Sequence, residues 1–364
     1  MNNPFINTSE QGDVRYLTAT SSINRVFVKK LPVYGLEDTI EGLYASDIFS
    51  AELITGEIKN HASELGIALA GTAENELPFI LEEKLDSANK IESDCAKAII
   101  RKFGIRLGLI LLALKQGDHE NKAQRKDWSD AHWAYWASLE NIILVGGFAS
   151  GKFGPLLIES TKSVFEYANK KPYNIIAFEN ASQVGMMGCT KLIEEQNGYH
   201  IVMDFGQSSI KRSVIKMRHG DIADIIKLPS LPSKYMRWNI EDKDEKQKET
   251  IALHRYLLGA IADTHRRAQK IGNVNNKIII SIASYTIGGK LNDKRGGYAK
   301  LTSLCPNYAD CLSEEVSGAI KRQIKIQLVH DGTAAALYFS DYPKAVCITL
   351  GTYFGTGFPD FFKV

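Results

Sequence analysis

Two carboxylates and two glycine-bearing turns are the residues in this chain whose types and spacing could do chemistry. Asp204 closes the apolar run Tyr199-His200-Ile201-Val202-Met203 and opens the turn Phe205-Gly206-Gln207-Ser208-Ser209-Ile210-Lys211. A second turn, Leu350-Gly351-Thr352-Tyr353-Phe354-Gly355-Thr356-Gly357, follows another apolar run, Ala345-Val346-Cys347-Ile348-Thr349. Paired turns of this kind can grip a polyphosphate. Glycine lets backbone N–H groups approach phosphate oxygens, the hydroxyls of Ser208, Thr352 and Thr356 add neutral donors, and a carboxylate beside them can hold the water shell of Mg²⁺. Either turn taken alone is better explained as a hairpin in which glycine supplies only a positive φ. The second acid, Asp331, ends the short strand Ile326 to Val329 within Val329-His330-Asp331-Gly332-Thr333-Ala334-Ala335-Ala336-Leu337 and precedes a small-residue helix. A carboxylate at the C-terminal edge of a strand sits where open α/β sheets bind ligands.

Strands and helices must carry these residues, and their signals alternate. Polar, irregular sequence fills residues 1–20, and a strand-like Arg25-Val26-Phe27-Val28 follows. Helical periodicity then runs from about Leu36 to Gln116, with Ala96, Ile99, Ile100, Phe103, Leu107, Ile110, Leu111 and Leu114 at spacings of three and four, the mark of a core-facing helix. A strand at Asn141 to Val145 runs into Gly146-Gly147, a helix spans about Pro155 to Ala168, a strand follows at Asn174 to Phe178, and a small-residue helix runs from about Ala181 to Glu194. That alternation implies parallel pairing. From His200 the order becomes strand, hairpin and strand (Ile201–Asp204, Ser213–Met217, Ile222–Leu228), then a long helix and the buried strand Lys277 to Ile282.

Composition excludes several classes. The 364 residues are 44% apolar and 24% charged with a net charge of +2, ordinary for a two-lobed globular protein and without the basic stripe of a nucleic-acid binder. No run reaches the roughly 18 apolar residues of a membrane span, and the start lacks a signal-peptide pattern, so a cytoplasmic location and no membrane partner are expected. Five widely spaced cysteines without a C-x-x-C pair suit free thiols in a reducing compartment and argue against a structural zinc site. Trp128, Trp133 and Trp136 with His119 and His132 form either a pocket lining or core aromatics.

Taken together the motifs resemble the sugar kinase, heat-shock chaperone and actin superfamily, and within it the ROK family of sugar kinases and hexokinases. That family carries a D-x-G-G-T-x-x-K phosphate turn, a sheet-edge acid in N-D-A-N-A-A-A-L, a second phosphate turn L-G-T-G-x-G-G-G and an adenosine loop G-G-G-x-S. The look-alikes here are Asp204 to Lys211, His330 to Leu337, Leu350 to Gly357, and Val145-Gly146-Gly147-Phe148-Ala149-Ser150. Their order is rotated, as in a circular permutant opened after Gly357. The resemblance implies an α/β fold of two ribonuclease-H-like lobes with a cleft between them, one lobe built from residues 1–180 plus 331–364 and the other from 181–330. It also implies that the two ends of the chain lie close, with Arg25–Val28 pairing as a strand beside the chain's last strand.

By the same resemblance the chain is an ATP-dependent phosphotransferase acting on a hydroxyl of a sugar-like substrate. Asp331 is then the catalytic base, and Asp204 holds Mg²⁺ through water. Gly206, Gln207, Ser208, Lys211, Gly351, Thr352, Gly355 and Thr356 contact phosphates, Gly146, Gly147 and Ser150 back the nucleoside, and His330 and Asn307 face the substrate. Each has a plainer alternative: a helix cap for Asp331, a turn former for Asp204, a surface cation for Lys211, a strand-to-helix turn for Gly146-Gly147, and a Pro-Asn turn for Asn307. Gln207 and Tyr353 replace family glycines, His330 replaces the usual Asn, and neither the family's zinc cysteines nor its E-x-G-H sugar motif occurs in residues 10–60. Those departures keep open a nucleotide- or sugar-binding sensor or assembly protein without chemistry. A homodimer is compatible with either, and a transcriptional regulator is disfavoured because no helix-turn-helix segment precedes the core.

Overall fold

The computed structural model describes residues 2–9, 15–178, 183–293 and 296–362. The elements used below are, in chain order, helices α1 (Ala51–Asn60) and α2 (Lys90–Gln116), strand β1 (Asn141–Val145), α3 (Phe153–Tyr167), β2 (Asn174–Ala177), α4 (Val184–Thr190), β3 (Gly198–Phe205), β4 (Ser209–Arg218), β5 (Asp221–Pro232), α5 (Lys243–Gln269), β6 (Val274–Ile282), α6 (Tyr308–Ile320), β7 (Lys325–His330), α7 (Asp331–Leu337), β8 (Ala345–Leu350) and β9 (Phe354–Gly357). The fold is mixed α/β. Among the described residues no helix is long and apolar enough to cross a membrane.

Contacts divide the chain into two units. The first comprises Met1–Phe5, Thr20–Ser182 and Tyr342–Thr356, and the second Ile6–Ala19, Gln183–Asp341 and Gly357–Val364. The division after β7 therefore falls at Asp341 and not at the 330/331 boundary read from the sequence. Helix α7 stays with the second unit because it packs on α4 of that unit, where a methyl built on Gly188 would lie 1.6 Å from the Ala334 carbonyl oxygen.

In the first unit the strand order is β9-β8-β1-β2. Strands β8, β1 and β2 run parallel, with Ala345 opposite Asn141 and Asn141 opposite Asn174. The core-facing positions foreseen on α2 are buried. Helix α3 crosses α2 at Gly104 and Gly108, where side chains would collide with Ser160 and Val164 and where Thr161 Oγ1 donates to the Gly104 carbonyl at 3.0 Å. Trp128, Trp133 and Trp136 are buried, Trp128 stacking on Trp136 and meeting Trp133 edge to face, so they are core.

The strand expected at Arg25–Val28 differs. Residues Ile23–Arg25 form a 3-10 turn, and only Phe27–Val28 is extended, pairing antiparallel with Leu43–Tyr44. The turn removes the backbone of this segment from strand geometry. Instead, the Asn24 side-chain amide donates to the Phe354 carbonyl at 2.8 Å and accepts the Phe354 N–H at 2.9 Å, a side chain standing in for a neighbouring strand on β9.

The second unit holds a five-stranded sheet in the order β7-β6-β3-β4-β5. Strands β3, β4 and β5 form an antiparallel meander, while β6 lies parallel to β3 and β7 parallel to β6. One face is covered by α5 and α6 through Leu253, Leu257, Ile261, Leu312 and Val316, and the other by α4 through Met186 and Cys189. The small-residue helix begins at Val184, and the expected start near Ala181 lies outside the described residues. Residues 1–20 are not wholly irregular, since Ile6–Thr8 pairs antiparallel with Arg15–Leu17.

Two glycine substitutions separate packing from propensity. Gly188→Ala should destabilise the protein by at least about 1–3 kcal/mol, because its methyl has backbone and not a movable side chain as its obstacle. Gly259→Ala, exposed in mid-α5 with nothing within 4 Å, should stabilise by about 0.5–1 kcal/mol. Urea unfolding of both variants against the parent checks the opposite signs.

Candidate functional site

Register brings the chosen acids of the second unit to one edge of its sheet. Asp204 is opposite Ser281 on β6, and Ser281 is opposite Val329 on β7, two residues before Asp331. Two strand spacings, about 10 Å, separate the strands that carry the carboxylates. Helix α4 lies beneath this edge with Gly185 next to Ser281 and Asp204. A methyl on Gly185 would stand 3.5 Å from Ser281 Oγ and 3.9 Å from Asp204 Oδ1. Ser281 Oγ is fully buried and has no hydrogen-bond partner among the described residues.

Across the β3–β4 pair Lys211 lies directly opposite Asp204, and its Nζ reaches Asp204 Oδ2 at 3.2 Å. The turn between them is stitched by other groups. Gly206 N–H donates to Ser209 O at 3.1 Å, Tyr298 and Ser233 hydroxyls donate to Gly206 O at 2.9 and 2.8 Å, and Gln207 Nε2 donates to Ala283 O at 3.3 Å. Ser208 is exposed, and its carbonyl accepts the Ser233 N–H.

Asp331 does not cap α7. The N-cap is His330, whose Nδ1 accepts the Thr333 N–H at 3.2 Å. That bond fixes the proton of the neutral ring on Nε2, which lies 3.2 Å from Asp331 Oδ1. The buried His330 ring stacks on Tyr285 with centroids 4.3 Å apart and planes at 12°. Burial pushes its pKa down to about 4, against the opposing pull of Asp293, so the ring is neutral at physiological pH. The Asp331 carboxyl is pushed up to about 7, by burial first and by the Asp204 charge second, while Gly332 N–H donates to Oδ1 at 2.6 Å and opposes the rise. With 43% of its side-chain surface open to solvent, Asp331 is only partly desolvated, so the neighbouring charge counts for more in this shift than burial alone suggests.

Asn307 stands apart from this group. It is the N-cap of α6, accepting from Ala309 and Asp310 N–H groups, and its Nδ2 donates to Gly288 O at 3.1 Å. The Pro-Asn segment thus has a structural use for both ends of the amide.

In the first unit the two loops chosen from the sequence leave adjacent parallel strands, β1 and β8. Gly146 has φ +109°, and a side chain there would lie 2.2 Å from the Leu350 carbonyl oxygen, so glycine is required by the approach of one loop to the other. Gly147 has open space where a side chain would go, and Ser150 Oγ donates back to Gly147 O at 3.1 Å. Of the β8–β9 turn, Gly351 O accepts the Ala51 N–H, Thr352 and Tyr353 are exposed, and Gly355 packs on Thr349. Thr356 is 1% exposed, which keeps its hydroxyl from solvent-borne groups.

The sequence reading missed His330 as the cap and Tyr285 as its stacking partner. A His immediately before a strand-end Asp and three residues before Thr333 was the available signal. No protein-family model matches the chain, and no curated protein matches it.

The acid pair sets a pH dependence. A carboxyl whose folded pKa lies near 7, above the unfolded value of about 4, binds more protons folded than unfolded between those limits, so its contribution to stability falls as pH rises through that window. Asp331→Asn should therefore gain stability relative to the parent from pH 4 to pH 7 and differ little below it, as urea titrations will read. Asp204→Asn should shift the Asp331 carboxyl titration, followed by carbon NMR, downward. An unmoved midpoint would remove Asp204 as a cause.

Proposed function

We propose that the chain is an ATP-dependent phosphotransferase acting on a hydroxyl of a sugar or sugar derivative, with Asp331 as the base and Asp204 as the anchor of a Mg²⁺ water shell. The observation that carries this reading is the pairing of Asp204 with Asp331 at the C-terminal edge of parallel strands, the edge where open α/β sheets hold ligands. The strand order β5-β4-β3-β6-β7, an antiparallel meander followed by two parallel additions, supports the ribonuclease-H-like part of the resemblance. The paired glycine loops of the first unit support the nucleotide part.

The residues fit Mg²⁺ by charge. The Asp204 charge raises the proton affinity of Asp331, and Ser281 adds an oxygen without a hydrogen-bond partner among the described residues beside Asp204. Bound Mg²⁺ would supply charge neutralisation for a transferred phosphoryl group. Asp331 then orients the attacking hydroxyl and takes its proton, a task suited to a group that titrates near neutrality. His330, neutral and held by Tyr285 and Thr333, directs Nε2–H toward Asp331 and keeps that carboxyl oriented.

One observation favours a second reading, a ligand-binding sensor of the same fold without chemistry: Lys211 already pairs with Asp204, and Gln207 is tied across the turn to Ala283. Phosphate transfer from ATP to a panel of hexoses and amino sugars separates the two. Turnover that falls by at least about 100-fold in Asp331→Asn supports the kinase, given the usual size of general-base effects. Nucleotide binding without turnover on any acceptor selects the sensor, and no nucleotide binding by calorimetry rejects both.

A further inference from the structure

Within the first unit, one group of side chains has the composition of a metal site and no part in the chemistry above. Helix α1 ends at Asn60, and the turn that follows carries His61 and Glu64, while Cys95 stands on the second turn of α2. His61 Nδ1 lies 2.7 Å from Glu64 Oε2, Cys95 Sγ lies 3.5 Å from the same oxygen, and the three ligand atoms all lie within 4.8 Å of one another. Among the described residues this is the one cluster of three or more such ligands.

We propose that His61, Glu64 and Cys95 form a binding site for a divalent transition metal, zinc by the class of its ligands. With Zn–N and Zn–O near 2.0–2.1 Å and Zn–S near 2.3 Å, tetrahedral geometry puts N and O about 3.4 Å apart and S and O about 3.6 Å apart. The sulfur–oxygen distance already matches, and the imidazole–carboxylate pair must open by about 0.7 Å, within the reach of two half-exposed side chains. A thiolate, an imidazole and one carboxylate suit zinc and exclude Mg²⁺ and Ca²⁺, which take oxygen shells. A fourth position would be left for water.

What separates this cluster from a chance surface pair is the layer behind it. His61 offers Nδ1 to the cluster and turns Nε2 toward Glu57 Oε2, 3.8 Å away, while Lys102 holds Glu57 Oε1 at 3.1 Å. In metal sites a carboxylate hydrogen-bonded to the far nitrogen orients a ligating histidine, and Glu57 is placed to do so once the 3.8 Å gap closes to hydrogen-bond distance. The turn is also pinned. Leu65 is fully buried, its N–H donates to His61 O at 3.0 Å, and Ile67 N–H donates to Ala62 O at 2.8 Å. On binding, the Cys95 thiol releases one proton to solvent, and the thiolate and the Glu64 carboxylate balance the dication.

The test uses the full chain in reducing buffer, titrated with Zn²⁺ against a chromophoric chelator and separately with Co²⁺. The parent should bind one zinc and show the thiolate-to-cobalt charge-transfer band. Cys95→Ser and His61→Ala should each weaken zinc binding by about 100-fold or more, and Glu57→Gln by about 10–100-fold with the band retained. All three positions lie at the surface of a pinned turn or helix, and far-ultraviolet circular dichroism of the variants checks that the fold is kept. No stoichiometric zinc uptake by the parent, equal affinity in Cys95→Ser, or a cobalt complex without the thiolate band would each overturn the assignment. None of these readouts depends on phosphate transfer.

Discussion

The parallel register joining β3, β6 and β7 is the constraint on which the candidate chemistry rests. Parallel strands place their C-terminal ends on one edge, and the matched rows Asp204, Ser281 and Val329 put two acids of distant sequence there. A one-residue slip of β7 would turn Val329, now buried, out of its cluster and carry Asp331 away with it. Small residues make the arrangement compact. Gly188 lets α4 lie against α7 at a distance that any side chain would forbid.

Glycine serves different masters in the two units. Gly146 is fixed by the Leu350 carbonyl oxygen, a demand of loop-to-loop packing that exists with or without a ligand. Gly206 has no positive φ and meets only Ser209 O at 3.1 Å, so its turn is held by the Tyr298 and Ser233 hydroxyls more than by its own conformation. Gly147 is exposed with nothing near it, and it is the position in these loops that packing leaves unexplained.

Much of this was legible from periodicity and strand-end chemistry. The buried row of α2 and the strands β1, β3, β6 and β8 follow from local pattern, whereas the expected convergence of Asp204 and Asp331 comes from the resemblance, which puts them in different lobes. What pattern could not give is what depends on side chains replacing backbone. Asn24 serves β9 as a strand would, so an extended-looking Arg25–Val28 misleads. His330 takes the cap that Asp331 was offered as its plain role, and the difference of one residue decides whether that acid is spent on a helix or available to solvent. The His61, Glu64 and Cys95 group joins residues more than thirty positions apart through helix packing, beyond any spacing rule for short metal motifs.

Charge then links the two acids in a way geometry alone does not express. Asp204 faces Lys211 at 3.2 Å, yet its charge still contributes to raising Asp331, so one ammonium on a long, one-third exposed side chain leaves the field incompletely cancelled. An acid whose proton affinity is set partly by a neighbour's charge changes state when that charge is compensated. Were a divalent cation to compensate Asp204, as the proposed function requires, the Asp331 pKa would fall and its carboxylate form would gain at neutral pH. Such a coupling would be reciprocal, with ionised Asp331 increasing the affinity of the same edge for the cation. The Lys211 ammonium would compete with that cation for Asp204, and the balance between them would separate the two readings of the site.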